Sequence, residues 1–338
     1  MTRRSFLAAT AASPLLHATT AYSRPLDDLR RKYRIPGLTA AVVHAGEVAW
    51  KEGFGYADVI RRTVAMPDTP YPIGGLTAAF TSLLAMKLIE LGRLDLDEPV
   101  KTYIPMASVY YQELKVGAVK VRHLLTHTSD DVPPGETFRY NLKRFGAMTH
   151  VLAQLYGKQF EDLVVETFFD AIPMPDSAPR RDSADPRYSR VLGALAHPYR
   201  IDSRERMVTA DFPGPEVDAS HGLISTALDL ARFDIALDEH RFVREETLRL
   251  ARQPALSLTE KPLPASLGWL VSSYKGAAVD WLFDDTRGAF SALYIKVPSK
   301  RTSLILLANT DALSRPFPAL AEAELESSEF ARWFLDTL

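Results

Sequence analysis

The chain has 338 residues, of which 46% are hydrophobic and 24% charged; 40 basic side chains face 42 acidic ones, for a net charge of -2. Such a length can bury a large core, in one big domain or two lobes. The even balance of charge gives no reason to expect nucleic acid or an anionic membrane as partner. There is no cysteine, which excludes disulfides, thiol catalysis and cysteine metal sites.

The amino terminus carries an address. Thr2-Arg3-Arg4-Ser5-Phe6-Leu7 resembles a twin-arginine export motif, and a mildly apolar run to Leu16 follows it. Small residues at Ala18, Ala21 and Ser23 offer cleavage sites, so residues 1–23 are expected to be a signal peptide and residues 24–338 a periplasmic or secreted domain. The apolar run is too short to span a membrane, and no later stretch is long enough either.

Next, Pro25 to Tyr33 reads as a charged surface helix. The stretches Leu38–His44 and Glu47–Ala57 are rich in β-branched and aromatic residues around Ala45-Gly46, the pattern of a hairpin. In residues 71–94, Leu76, Phe80, Leu83, Leu84, Leu88 and Leu91 recur at helical spacing and Gly92 closes the run, which predicts a buried amphipathic helix. Val121-Arg122-His123-Leu124-Leu125-Thr126-His127-Thr128-Ser129 follows, then a loop through residues 133–142. The middle of the chain alternates helical patterns with loops rich in proline and aspartate. Strand patterns return near residues 267–272, 278–283, 290–297 and 302–309, and a last helix is expected over residues 318–338.

Several phrases, in order, resemble the serine β-lactamase and penicillin-binding-protein superfamily, in the branch of class C enzymes and related esterases. They are Gly53-Phe54-Gly55-Tyr56-Ala57-Asp58, Ile73-Gly74-Gly75-Leu76-Thr77-Ala78, the residue 121–129 phrase, Pro134-Gly135, and Gly222-Leu223-Ile224-Ser225-Thr226-Ala227. The resemblance implies an α+β, β-lactamase/transpeptidase-like fold. An antiparallel sheet (residues 30–70 and 262–338) would be flanked by helices, with a mostly helical lobe inserted at residues 75–260.

The resemblance also implies an acyl-enzyme site with a serine, a lysine one helical turn on, a proton-shuttling tyrosine and an oxyanion hole. Position by position, the serine falls on Gly75 and the lysine on Ala78. In the second motif the tyrosine is kept as Tyr140, whereas the asparagine falls on Leu142. In the third motif neither lysine nor histidine stands in Trp281-Leu282-Phe283-Asp284-Asp285-Thr286-Arg287. The glycine that usually follows Ser129 is Asp130. The expectation is therefore a pseudoenzyme that binds a small molecule, a cell-wall peptide or a protein partner and needs no cofactor. Thr77, Trp281, Phe283, Asp284, Asp285 and Arg287 are candidates to line a pocket beside Gly75, Ala78 and Tyr140. The alternatives are a hydrolase with a relocated nucleophile and a structural or assembly protein.

Substitutes for the serine are few. Thr77 lies about 200° round the helix from position 75, and Ser82 is on the same face but about 10 Å deeper. Ser220 and His221 are adjacent in sequence, which is not a triad geometry. His123 and His127 stand at i, i+4, a spacing that can present two metal ligands. With no acidic third ligand placed by spacing, they are expected to be structural and no metal is expected. Export itself is testable: replacing Arg3 and Arg4 with lysine should retain the protein in the cytoplasm, because twin-arginine recognition reads guanidinium pairs rather than charge alone. Cell fractionation that still finds the double variant outside the inner membrane would refute the signal.

Overall fold

The computed structural model describes residues 14–104, 119–130, 133–286 and 288–338. The twin-arginine motif and Arg287 lie outside the described residues. Strands from both chain ends form the main sheet. β1 (Gly37–His44), β2 (Glu47–Asp58) and β3 (Thr63–Val64) come from the start of the chain. Two short pairs, β4 (Tyr71–Pro72) with β7 (Ile224–Ser225) and β5 (Tyr199–Ile201) with β6 (Met207–Thr209), lie outside it. β8 (Leu270–Tyr274), β9 (Ala277–Thr286), β10 (Phe290–Val297) and β11 (Thr302–Ala308) complete it, in the order β3-β2-β1-β11-β10-β9-β8. All its pairings are antiparallel, and β1 meets β11 in a register running from Leu38 opposite Ala308 to His44 opposite Thr302.

Helices cover both faces, so the central strands are apolar on both sides and lose the alternation of a half-exposed sheet. On β1, Ala41 and Val43 face one core, whereas Leu38, Ala40 and Val42 face the other. On β11, Ile305 and Leu307 share the first core, and Leu304, Leu306 and Ala308 the second. The second core is closed by α1 (Pro14–Lys32) and by α10 (Glu329–Asp336). The predicted terminal helix is thus shorter than expected: short 3-10 turns fill residues 318–322 and 325–327 before Ser328 caps α10 by accepting from Ala331 N. At the other end α1 starts well before Pro25 and runs unbroken through the expected export cleavage region. Tyr22 packs on Trp50 and Trp333, with ring centroids at 5.4 and 6.2 Å.

The first core holds α2 (Thr77–Glu90), the predicted helix of residues 71–94. Every residue of α2 from Thr77 to Met86 is buried, so it is enclosed rather than amphipathic. Two of its polar side chains turn to backbone: Thr81 Oγ1 donates to the Ala219 carbonyl (2.6 Å) and Ser82 Oγ to that of Leu267 (2.5 Å). Around it lie α3 (Val121–Leu125), α4 (Leu142–Phe145), α5 (Met148–Tyr156), α6 (Phe160–Val164), α7 (Ser189–Gly193), α8 (Ala227–Asp238) and α9 (Glu245–Ala251). Phe80 stacks on Phe233 of α8 at 4.3 Å between centroids.

Between α8 and the sheet sits an ionic cluster. Lys296 is 1% exposed; its Nζ lies 2.7 Å from Asp234 Oδ1 and 2.8 Å from Asp238 Oδ2. The Tyr294 hydroxyl also donates to Asp234. A buried pair adds little net stability, but breaking it strands a charge in a dry interior. Lys296→Met should therefore destabilise the protein by about 3–5 kcal/mol in urea titrations. The double variant Lys296→Met/Asp234→Leu should recover much of that loss.

Candidate functional site

Strand β9 outruns its neighbour. β8 pairs with β9 only as far as Leu270 opposite Trp281, so residues 282–286 have β10 on one side and no strand on the other. The start of α2 occupies that open edge, entered through a 3-10 turn at Gly74–Leu76. Along β9 the side chains alternate: Trp281 and Phe283 point into the second core, Leu282 into the first. Asp284 shares the side of Leu282 and reaches the helix start.

There it meets an orphan donor. Helices leave their first N–H groups unpaired, with a partial positive charge. The Gly75 N–H donates to Asp284 Oδ1 at 2.9 Å, and the Thr286 N–H donates to the other carboxylate oxygen at 3.1 Å. Asp284 is 3% exposed. Both glycines of the turn are required by this approach. Gly74 has φ of +47°, and a Cβ there would stand 1.9 Å from Asp284 Oδ1. A Cβ on Gly75 would stand 2.4 Å from the Phe283 carbonyl oxygen and 3.1 Å from the Tyr140 hydroxyl.

Tyr140 comes from the loop before α4. Its hydroxyl donates to the Phe283 carbonyl (3.3 Å) and its ring stacks on Phe283 at 4.8 Å. The structure thus brings Gly75, Tyr140, Phe283 and Asp284 together. The remaining candidates are placed as follows. Ala78 and Thr77 are buried in the first turn of α2. Trp281 is fully buried in the second core, its Nε1 donating to Ser272 Oγ at 3.0 Å, so it lines no pocket at Gly75. Leu142 opens α4, half-buried, and the cap of that helix is the neighbouring Asn141, whose side chain accepts from Arg144 N. The Asp285 side chain is outside the described residues. At the mouth beside Gly74 a cavity of about 30 Å³ is lined by His221, Thr286 and Arg181, room for a water or two.

The two histidines of the residue 121–129 phrase each accept a backbone N–H. His127 Nδ1 accepts from Asn141 N (3.1 Å), and its ring stacks on Phe145 and leans on Tyr140. His123 Nδ1 accepts from Lys120 N (3.1 Å), closing the start of α3. No group of three or more metal-binding side chains occurs among the described residues. Asp130 is paired with Arg144 at 2.5 Å and with the Asn141 amide.

Ser220, His221 and Asp218 form a tight cluster that adjacency alone did not reveal. Ser220 Oγ donates to Asp218 Oδ1 at 2.7 Å and lies 3.0 Å from His221 Nδ1. Asp218 Oδ1 is itself 3.0 Å from the same Nδ1. Both contacts fall on one ring nitrogen, whereas a relay needs the two nitrogens to face base and nucleophile separately. Ser220 is 1% exposed. The Asp218 carboxylate raises the His221 pKa above its ordinary value.

The fold and the placement of these residues are those of a β-lactamase/transpeptidase-like protein. The chain belongs to the Beta-lactamase family, whose sequence profile matches residues 22–329. Among curated proteins it is similar to "Protein flp" of Staphylococcus aureus, 31% identical over 125 residues, 36% of this chain and 25% of that protein. It is also similar to the human "Serine beta-lactamase-like protein LACTB, mitochondrial", 37% identical over 94 residues, 28% of this chain and 17% of that one. The matched segments thus span a quarter or less of those relatives. Among solved structures, an octameric penicillin-binding protein homologue from Pyrococcus abyssi superposes with TM-score 0.74 at 21% identity, over 91% of this chain and 77% of that one. A class C beta lactamase from Rhodobacter sphaeroides superposes with TM-score 0.70 at 19% identity, over 94% and 99%. These likenesses carry the fold.

The buried imidazoles fix a pH dependence. Burial holds His127 and His123 down at about 4, from an ordinary 6.5. The unfolded chain takes up each proton near 6.5 and the folded chain only near 4. Stability is therefore complete above 6.5 and lost as the pH falls through that window. For His127 the loss is about 3 kcal/mol. Asp280 acts in the opposite sense: burial pushes it up to about 6, so the folded state gains as the pH drops through 6. His221, raised by Asp218, works in the same sense as Asp280, but the two lowered histidines carry the larger combined shift. The urea midpoint should fall between pH 7 and 4.5, and His127→Gln should remove a large part of the slope. A midpoint that stays level or rises over that range contradicts the assignment.

Proposed function

We propose that this protein is a non-hydrolytic member of the family, exported through a twin-arginine signal, whose role rests on binding rather than turnover. One observation carries the reading: at the position matching the nucleophile there is no side chain, and an internal carboxylate occupies the N–H donor that would otherwise face a substrate. Acyl transfer needs a nucleophile, a base and free donors for the oxyanion. Gly75 has no hydroxyl and Ala78 no amine; the Gly75 N–H is engaged by Asp284. The space over Gly75 is shared by the Phe283 carbonyl and the Tyr140 hydroxyl. A helix start of this kind can hold water or a carboxylate or carbonyl group, and Asp284 supplies a carboxylate from within the chain. The partner, a small molecule, a cell-wall peptide or a protein, would then bind elsewhere on the surface.

A second reading is favoured by the Ser220 cluster, where a buried hydroxyl touches both an imidazole and a carboxylate. A fluorophosphonate and a penicillin probe, followed by intact mass, separate the two. The proposal expects no covalent adduct; stoichiometric labelling of Ser220 would establish a relocated nucleophile instead.

Reinstating the motif should also fail. In Gly75→Ser/Ala78→Lys the new Cβ must displace the Phe283 backbone, at a stability cost of about 1–3 kcal/mol. Asp284 would still hold the N–H. Ester turnover by the double variant should stay within twofold or so of the parent, because catalytic groups that act as a unit gain little when only some are present. Robust turnover would show that the remaining machinery is intact and the proposal wrong.

A further inference from the structure

A second groove lies about 10 Å down α2 from Gly75, where Ser82 holds the Leu267 carbonyl. Its volume is about 600 Å³, within the usual range of small-molecule sites. Its walls come from α3, the residue 135 turn, the end of α9 and the loop before β8. Three leucines along it are exposed: Leu250 (52%), Leu256 (60%) and Leu258 (58%). Apolar side chains of that size, exposed together on one depression, mark a binding surface rather than chance.

The polar groups gather on the opposite wall. Lys120 Nζ and Arg122 Nη2 both bind Asp97, at 2.8 and 2.5 Å, so two cations share one carboxylate. Asp97 uses only part of the Arg122 fork, which can present further N–H groups to a second carboxylate. Because His123 Nδ1 accepts the Lys120 backbone N–H, the proton of its neutral ring is on Nε2, on the side of the Gly135 turn. Ser266 also lines the groove. It is fully buried, and its Oγ has no hydrogen-bond partner. An unsatisfied buried hydroxyl costs free energy unless a ligand or water completes it.

We propose that this groove binds a monocarboxylate with an unbranched apolar tail, the head at Arg122 and Lys120 and the tail along Leu250, Leu256 and Leu258. The pairing supports the head: Lys120 and Arg122 share the single Asp97 carboxylate, which leaves the guanidinium with donors to offer. The run of leucines supports the tail, which removes their apolar surface from water. The site is independent of the Gly75 position and of whether any chemistry occurs there.

Isothermal titration of the full chain at pH 7.5 with decanoate, decanol and decylammonium, each kept below its micelle concentration, tests it. Decanoate should bind with one-to-one stoichiometry, and decanol about tenfold more weakly, the worth of one charge-assisted contact. Decylammonium should be weaker still. Arg122→Gln should bring decanoate down to the level of decanol, and Leu256→Glu/Leu258→Glu should abolish binding of both. All three side chains are surface-exposed, so thermal melts of these variants should match the parent and exclude unfolding as the cause. Absence of decanoate binding at about 1 mM, the millimolar limit of weak specific association, overturns the proposal. So does equal affinity for the three probes, or binding that survives the double leucine replacement.

Discussion

The pairing of β1 with β11 governs this molecule. It joins residues 37–44 to residues 302–308, and every other placement follows from it. With both chain ends committed to one sheet, the intervening helices must pack on its face, and β9 and β10 come to lie against the start of α2. The pairing is specified because both strands are apolar on both sides. A slip by one residue would exchange the two core-facing sets, and sets of different size fill differently shaped spaces.

The same constraint explains the arrangement at Gly75. A strand that outruns its neighbour presents backbone polar groups with no ladder partner, and a helix start presents N–H groups with none. Here each satisfies the other's neighbourhood. The Asp284 carboxylate takes the Gly75 N–H, and the Phe283 carbonyl takes the Tyr140 hydroxyl. The favourable electrostatics of a helix N-terminus, which can serve a bound anion, are met internally. The two glycines follow, since at either position a Cβ would overlap β9.

Polar groups elsewhere in the interior are handled by pairing. Lys296 has two aspartates and Asp130 has Arg144. The two histidines are instead buried neutral, each accepting a backbone N–H through Nδ1. That choice makes a spacing suited to metal ligands into a pair of loop staples, with acid sensitivity as its consequence.

Much of the fold could be read from the chain itself. The hairpin of β1 and β2, the strands β10 and β11 and the existence of α2 follow from local period and turn residues, which are short-range properties. The absence of a hydroxyl at Gly75 and of an amine at Ala78 is likewise a matter of residue identity. The enclosure of α2 on all sides was not legible, because Thr81 and Ser82 look like an exposed polar side until their distant partners, the Ala219 and Leu267 carbonyls, are known. Nor was the role of Asp284, which sequence placed only among candidates for a pocket lining. Its contact with Gly75 spans 209 residues, and no local pattern encodes a partner so distant. The groove beside Leu256 and Leu258 is of the same kind: its walls come from segments far apart in the chain, and only packing brings them together. Composition and period decide which elements form, whereas tertiary packing decides which of their unsatisfied groups meet.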